Sequence, residues 1–529
     1  MWKDNDKDND EGIFSGLHED AVACLGACKA IGFDRTQLRH LLDDLVSPTA
    51  TRDESEAVAK LFAVRRKGCQ GGVPMCWRDC KMSEHLHTLL TDRNIATESP
   101  QRLSDLPVIG DGPFSLGYLD YDPASYHCCL DAKIASVKDK VAIHFRGEFE
   151  VFSSPVKYFR QRCRLAVGRD ESNGDITFLI WDEQGWPRCR VEHYPVASKI
   201  INDLLDPLKY QLQHSKELSQ GLQAVHFLTT LTNNVVIRLL YNRELQATSW
   251  LLAAESMQKT MLGLAGRDNG VSRPVPGLKS LSFVGRAKAT KLVIGSDSVE
   301  ESFVLQDGRV AKYIQSIDGF SNPNAVVNVQ CLNWLCSIVQ EIDATERRRK
   351  GEAESSLDIL ELYCGNGNHT IALAKFARSV VAVELNKSLC IAAEANVQQN
   401  GLCNVTIVAG DSERFAKRLL ARRRYEHKNT TATGSAGDSR EGTGADAANT
   451  ATHHFSTVLV DPPRCGLDPT TRNLVCNYEY VIYISCGQEA LLRDLEIICQ
   501  THVIRRFAVM DQFAYSVGHI ECGVYLEKK

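Results

Sequence analysis

The 529-residue chain lacks any run of about 20 unbroken apolar residues, the length a helix needs to cross a bilayer. It also lacks an excess of either charge: 61 basic side chains face 66 acidic ones, so any basic surface for an anionic partner must be local. The start, Met1-Trp2-Lys3-Asp4-Asn5-Asp6, has no apolar core and is acidic, which argues against a secretory signal and a mitochondrial presequence. The 19 cysteines show no regular spacing and are odd in number, so reduced thiols fit better than a disulfide framework. Cys69, Cys76 and Cys80 do not follow metal-ligand spacing, and no metal is expected. A soluble, intracellular protein without a membrane partner is the expectation, cytoplasmic before nuclear or organellar. With 43% hydrophobic and 24% charged residues, the composition is that of a globular chain and excludes wholesale disorder.

Three parts can be read along the chain. Residues 1–110 form a mostly helical extension, with apolar residues at helical spacing from His18 to Ile31 and at Leu38, Leu41, Leu42 and Leu45. Residues 111–318 predict an α+β domain dominated by antiparallel strands, among them 149–152, 162–168, 178–181, 227–230, 235–241, 281–284 and 291–294. Residues 319–529 alternate helix and strand, which implies a doubly wound, Rossmann-like parallel sheet. Asn322-Pro323 reads as the cap and first residue of a helix running to about Ile342. Strands are expected at 357–362, 379–384, 405–409, 456–460 and 480–485. A Thr/Gly/Ala-rich insert at 425–452 has too little apolar content to join a core.

Two sets of residues carry chemistry. The first strand of the parallel sheet runs into Tyr363-Cys364-Gly365-Asn366-Gly367-Asn368, a glycine turn that lets backbone approach a ligand. Glu384, at the end of the next strand, suits hydrogen bonds to ribose hydroxyls. The turn is not a full G-x-G-x-x-G and offers little to a pyrophosphate, so S-adenosylmethionine fits better than NAD. The second set is Asp461-Pro462-Pro463-Arg464, Ser485-Cys486 and Glu521-Cys522-Gly523, each at a strand end. Together they place a polar anchor, a thiol and a carboxylate on one rim, the parts of a nucleophile–base pair.

These segments resemble the motif set of the RNA (uracil-5-)methyltransferases, and more narrowly the bacterial TrmA type, which methylates uridine 54 in the tRNA T-loop. The similarity spans roughly 124–529 and extends to Ser153-Ser154-Pro155, Arg160-Gln161-Arg162, Leu228-Thr229-Thr230-Leu231, Val284-Gly285-Arg286-Ala287 and Asn322-Pro323-Asn324-Ala325. The resemblance implies Cys486 as nucleophile and Glu521 as general base. It implies Asn322, Tyr363, Asn368, Glu384 and Asp461 as the S-adenosylmethionine site, tRNA as partner, and a monomer without metal. Arg160, Arg162 and Arg164, alternating on one strand, share a face and are candidates for RNA contact. Arg286, Lys288 and Lys291 form a second basic cluster. Two departures stand out: Asn322 where the family usually has Gln, and Gly487-Gln488 where it usually has Asn-Pro. The alternatives are a ribosomal-RNA uracil-5 methyltransferase, whose iron–sulfur cysteine pattern Cys69, Cys76 and Cys80 do not reproduce, and an idle RNA-binding protein of the same fold.

Overall fold

The computed structural model describes residues 103–116, 118–170, 173–181, 187–264, 275–421, 455–516 and 518–529. The helical extension expected over residues 1–110 lies almost wholly outside the described residues, as do the insert at 425–452 and Cys69, Cys76 and Cys80. Residues 101–529 belong to one unit, organised by two eight-stranded sheets.

The first segment holds β1 (Val108–Ile109), β2 (Phe114–Ser115), β3 (Asp120–Tyr121), α1 (Tyr126–Val141) and β4 (Phe149–Phe152). Then come β5 (Arg162–Arg169), β6 (Ile176–Trp181), β7 (Pro187–Val191), α2 (Lys199–His214), α3 (Lys216–Ser219), β8 (Leu222–Thr229) and β9 (Asn234–Tyr241). The segment closes with α4 (Ala247–Met261), β10 (Ser280–Arg286) and β11 (Lys291–Ile294). Its sheet has the order β1-β7-β6-β5-β8-β9-β10-β11 and is antiparallel except at β1–β7 and β9–β10. On α2, Ile200, Ile201, Leu204, Leu205, Leu208 and Leu212 recur at helical spacing and are buried, the pattern of an amphipathic helix laid on a sheet. Gly285 lets Trp250 of α4 lie against β10, because a Cβ there would meet the indole at 2.6 Å.

A hairpin, β12 (Ser298–Val304) and β13 (Val310–Ser316), leads to α5 (Ala325–Lys350). The doubly wound part follows: β14 (Asp358–Leu362), α6 (Asn368–Leu373), β15 (Ser379–Glu384), α7 (Lys387–Gln399), β16 (Val405–Ala409) and β17 (Thr457–Val460). It ends with α8 (Pro469–Val475), β18 (Tyr480–Ser485), α9 (Gln488–Thr501), β19 (His502–Met510) and β20 (Glu521–Lys528). The strand order is β16-β15-β14-β17-β18-β20-β19-β4. Strands β14 to β18 are parallel, and β20 runs antiparallel between β18 and β19. This is the Rossmann-like sheet expected from the alternation.

Two readings need correction. Helix α5 starts at Ala325, not at Asn322-Pro323. Its cap is Asn324, whose side chain accepts from Val327 N, while the Pro323 carbonyl accepts from Gln161 N at 2.7 Å and keeps that stretch extended. The helix also continues past Ile342 to Lys350 and ends at Gly351 in the left-handed conformation. In addition, β4 pairs in parallel with β19, so Phe149–Phe152 belongs to the second sheet. Local alternation cannot say which sheet a strand joins.

Candidate active site

A parallel sheet places all its strand ends on one edge, and an antiparallel insertion brings a strand start to that same edge. Here β17 ends just before Asp461, β18 ends just before Cys486, and β20 begins at Glu521. Strands β18 and β20 pair up to Ser485 and Cys522, and the next step in that register faces Cys486 with Glu521.

The side chains also share a face. Ile359, Leu459, Ile482, Ile484 and Tyr525 lie in the core beneath α5, whereas Leu360, Leu362, Val458, Val460, Val481, Tyr483 and Val524 lie in the other core. Side chains alternate along a strand, so Glu361, Asp461, Cys486 and Glu521 continue the row beneath α5. Gly523 permits close packing there, because a Cβ would meet the Trp334 ring at 2.6 Å. Cys331 of α5 is buried, and the negative charges of Glu521 and Asp461 help burial to hold its thiol protonated.

The electrostatics of this rim are unusual. Burial pushes the Glu521 carboxyl above its ordinary range, and Asp461 beside it adds to the push; burial raises Asp461 as well. Burial, then Glu521 and Asp461, lift the Cys486 thiol to about 11, with Arg464 pulling the other way. Among the described residues, neither Asp461 nor Glu521 forms an ion pair. Glu361 is a fourth group at this edge: burial lifts it to about 8, although the Thr370 hydroxyl donates to it at 2.5 Å. His369 lies 3.7 Å from the other Glu361 oxygen, but burial lowers its pKa to about 4 and leaves it neutral.

The loop after β14 turns through left-handed backbone at Tyr363 (φ 65°), Gly365 (58°) and Gly367 (81°). Left-handed conformation is uncommon for a tyrosine and marks a constrained turn. The hairpin β12–β13 braces this loop: Tyr313 donates its hydroxyl to Asn368 O at 2.9 Å, and Asn366 donates to Ile314 O at 3.4 Å. From α7, Asn396 donates to Asn366 O at 2.9 Å. Glu384 accepts from Gly365 N at 3.0 Å through one oxygen and from Asn386 N at 2.7 Å through the other. Asn322 donates to Asn328 at 2.8 Å, and Asn328 exchanges two bonds with Asn368.

The loop carries no basic side chain between Leu362 and Asn368, and a Cβ on Gly365 would meet nothing within 4 Å. Open space over glycine, a carboxylate and several amides fit a nucleoside with an amino-acid tail and not a pyrophosphate. Of the residues that the resemblance implies for S-adenosylmethionine, Asn322 and Asn368 are joined through Asn328, Tyr363 and Glu384 border the loop, and Asp461 N donates to Leu362 O at 3.4 Å.

The arginines divide. Arg162 turns inward and donates to Ser321 Oγ (3.0 Å), Ile317 O (3.0 Å) and Ser316 O (3.3 Å), so it ties β5 to the loop before Asn322. Arg160 precedes β5 and bridges to Ala197 and Asn324, outside the regular alternation expected of it. Arg164 is exposed on β5. In the second cluster, Lys291 is held by Asp297 (2.6 Å) and Asp318 (2.8 Å). Sequence reading missed Asn328, Cys331 and Glu361. The available signal was a polar residue inside an otherwise apolar run, as in Val326-Val327-Asn328-Val329 and Ile359-Leu360-Glu361-Leu362. At the departure Gly487, a Cβ would stand 2.4 Å from Arg464 O, so the turn after Cys486 and the Pro-Pro-Arg turn touch through a bare backbone.

The sequence profile of the tRNA (uracil-5-)-methyltransferase family matches residues 125–529. The tRNA/tmRNA (uracil-C(5))-methyltransferase of Vibrio cholerae is 33% identical over 411 residues, covering 78% of this chain and 99% of its own length. The protein of that name from Psychromonas ingrahamii is 33% identical over 408 residues, covering 77% and 98%. Among solved structures, Pyrococcus abyssi tRNA (uracil-54, C5)-methyltransferase in complex with S-adenosyl-L-homocysteine gives a TM-score of 0.49 at 18% identity, covering 76% of this chain and 83% of that one.

Proposed function

The chain belongs to the tRNA (uracil-5-)-methyltransferase family of S-adenosylmethionine-dependent enzymes, and on that premise we propose that it methylates C5 of uridine 54 in the tRNA T-loop, with Cys486 as nucleophile and Glu521 as base. The observation that carries this reading is the meeting of a thiol, a buried carboxyl and a half-buried one, Cys486, Glu521 and Asp461, none of them ion-paired among the described residues, on one face of one sheet edge.

Uracil C5 is too weak a nucleophile to accept a methyl group unaided. Addition of the Cys486 thiolate to C6 breaks the C5–C6 double bond and moves its electron pair toward C5 and the O4 carbonyl. Bound S-adenosylmethionine supplies an electrophilic methyl group. Glu521 then takes the proton from C5, the double bond re-forms, and the C6–S bond breaks to return the Cys486 thiolate. The free thiol is protonated at neutral pH, so attack requires it to release that proton to solvent, which reaches the partly exposed Cys486, and Arg464 is the nearby cation that favours the anion. Glu521, raised by burial, holds a proton more tightly than an exposed carboxylate; it must stand as the carboxylate when the C5 proton is removed, and its raised proton affinity then favours that transfer. The target base must leave its stack to expose both ring faces. Arg164 and Arg160 are proposed to contact the RNA backbone, with Arg162 ordering the loop beneath.

The test uses the full chain, labelled S-adenosylmethionine and an unmodified tRNA transcript. Cys486→Ala should lose methyl transfer and keep tRNA binding; wild-type-like methylation by this variant would falsify the nucleophile assignment. Glu521→Gln should transfer the methyl group and stall, leaving a protein–RNA adduct stable on a denaturing gel. A transcript with cytidine at position 54 should take no label, and undiminished labelling would refute the position.

A further inference from the structure

We infer that Asn328 is the positioning residue that orients Asn322 and Asn368 toward the amino-acid end of the bound cofactor. This rests on the proposed placing of S-adenosylmethionine at Asn322 and Asn368.

Asn328 is 2% exposed and sits in the first turn of α5, where an amide is expensive to bury unless both of its ends are bonded. Its Oδ1 accepts from Asn322 Nδ2 at 2.8 Å and from Asn368 Nδ2 at 3.0 Å, which occupies both lone pairs. Its Nδ2 donates to Asn368 Oδ1 at 3.0 Å. Asn328 and Asn368 are therefore joined through both ends of their amides: turning Asn368 over would break two bonds at once, and turning Asn328 over would break all three. The Asn368 main chain is fixed independently, by the Tyr313 hydroxyl on its carbonyl.

The arrangement decides what the two outer amides can offer. Asn322 gives its donor to Asn328, and its Oδ1 has no hydrogen-bond partner among the described residues. Asn368 gives one N–H to Asn328 and keeps the second. An acceptor beside a donor is complementary to an ammonium beside a carboxylate, the pair at the methionine end of the cofactor. The adenosine end is assigned to a different group, Glu384, the carboxylate suited to ribose hydroxyls, which accepts from Gly365 N and is bonded to none of these three amides. The hub also bears on Asn322, one methylene shorter than the family's usual Gln: its reach is set by Asn328, to which it is bonded.

Two ligands separate the ends of the cofactor. S-adenosylhomocysteine carries the amino-acid tail, and 5′-methylthioadenosine lacks it. Calorimetric titration of the full chain should show Asn328→Leu, close in shape, weakening S-adenosylhomocysteine about tenfold while 5′-methylthioadenosine changes less than about twofold. Asn328→Asp keeps the acceptor but removes the donation to Asn368, so it should show the same selectivity and serves if the leucine variant does not fold. In an Asn322→Ala background the loss from Asn328→Leu should shrink, because one of the groups it positions is gone. Equal weakening of both ligands, or an unchanged affinity for S-adenosylhomocysteine, overturns the inference. Asn368→Ala and Glu384→Ala distinguish the two levels. If they weaken S-adenosylhomocysteine and the Asn328 variants do not, the hub alone fails; if they too have no effect, the placing of the cofactor fails and the inference with it.

Discussion

Asp358 and Glu361 lie at opposite ends of β14, both buried, and they are treated in opposite ways. At the amino edge, Asp358 receives Arg378 Nε at 2.9 Å, a second contact from the same guanidinium, and Ser379 Oγ at 2.8 Å. Glu346 is similar: burial pushes its carboxyl up, but Arg349 at 2.8 Å and the Tyr480 hydroxyl at 2.9 Å hold it below the usual range. At the carboxyl edge, Glu361 has a hydroxyl in place of a cation, and Asp461 and Glu521 have no ion-pair partner among the described residues. Burying an unpaired carboxylate is costly, and the group responds by holding its proton. Charges at one edge are compensated because they serve the fold. At the other they are left uncompensated, which raises a carboxyl's proton affinity toward the neutral range, where it can change its protonation state.

Removing a partner from the compensated edge should produce the largest effect. Arg378→Ala leaves Asp358 buried without its cation and should destabilise the protein by about 2–4 kcal/mol, read from denaturant unfolding. Methylation per folded molecule should stay near wild type, and a large loss of specific activity would break the division between the two edges. Overpacking the uncompensated edge comes second. Gly523→Ala forces a methyl group into the Trp334 ring and should cost about 1–3 kcal/mol, with methylation falling further than stability because Glu521 shares that strand.

The smallest effect carries an opposite sign. A carboxyl held above its ordinary range binds its proton more tightly when folded than when unfolded. The folded state therefore loses stability as pH rises from the ordinary carboxylate range toward the raised value. Glu521→Gln removes that loss, so the variant should be more stable than wild type at pH 8.5 and nearly equal to it at pH 5. Thermal melts at the two pH values decide it; a variant less stable at pH 8.5 would mean that Glu521 is compensated after all.

Much of this organisation is legible along the chain. The helix–strand alternation after residue 320 implies the doubly wound sheet, and the turn at Tyr363–Asn368, the Asp461-Pro462-Pro463 turn and Cys486 each follow an apolar strand recognisable by length and composition. What local pattern could not supply is partnership. Asn322-Pro323 looks like a helix start, yet Gln161 on a distant segment holds Pro323 extended and moves the cap to Asn324. Arg162 alternates with Arg160 and Arg164 as a surface residue would, yet it closes on three acceptors of the 316–321 loop. Asn328 is one amide in an apolar run until two other amides reach it.

From the sequence alone came the things that depend on neighbours in the chain: which stretches become strands, where they stop, and which residue types stand at the stops. The alternation of side chains even assigns Glu361, Asp461, Cys486 and Glu521 each to one face of its own strand. Only the tertiary structure decided that these faces are the same face, because strand order and the reversed direction of β20 are set by long-range pairing. It alone decided the acidity of these groups as well, since a carboxyl's proton affinity depends on how much water and which charges the surrounding fold leaves beside it.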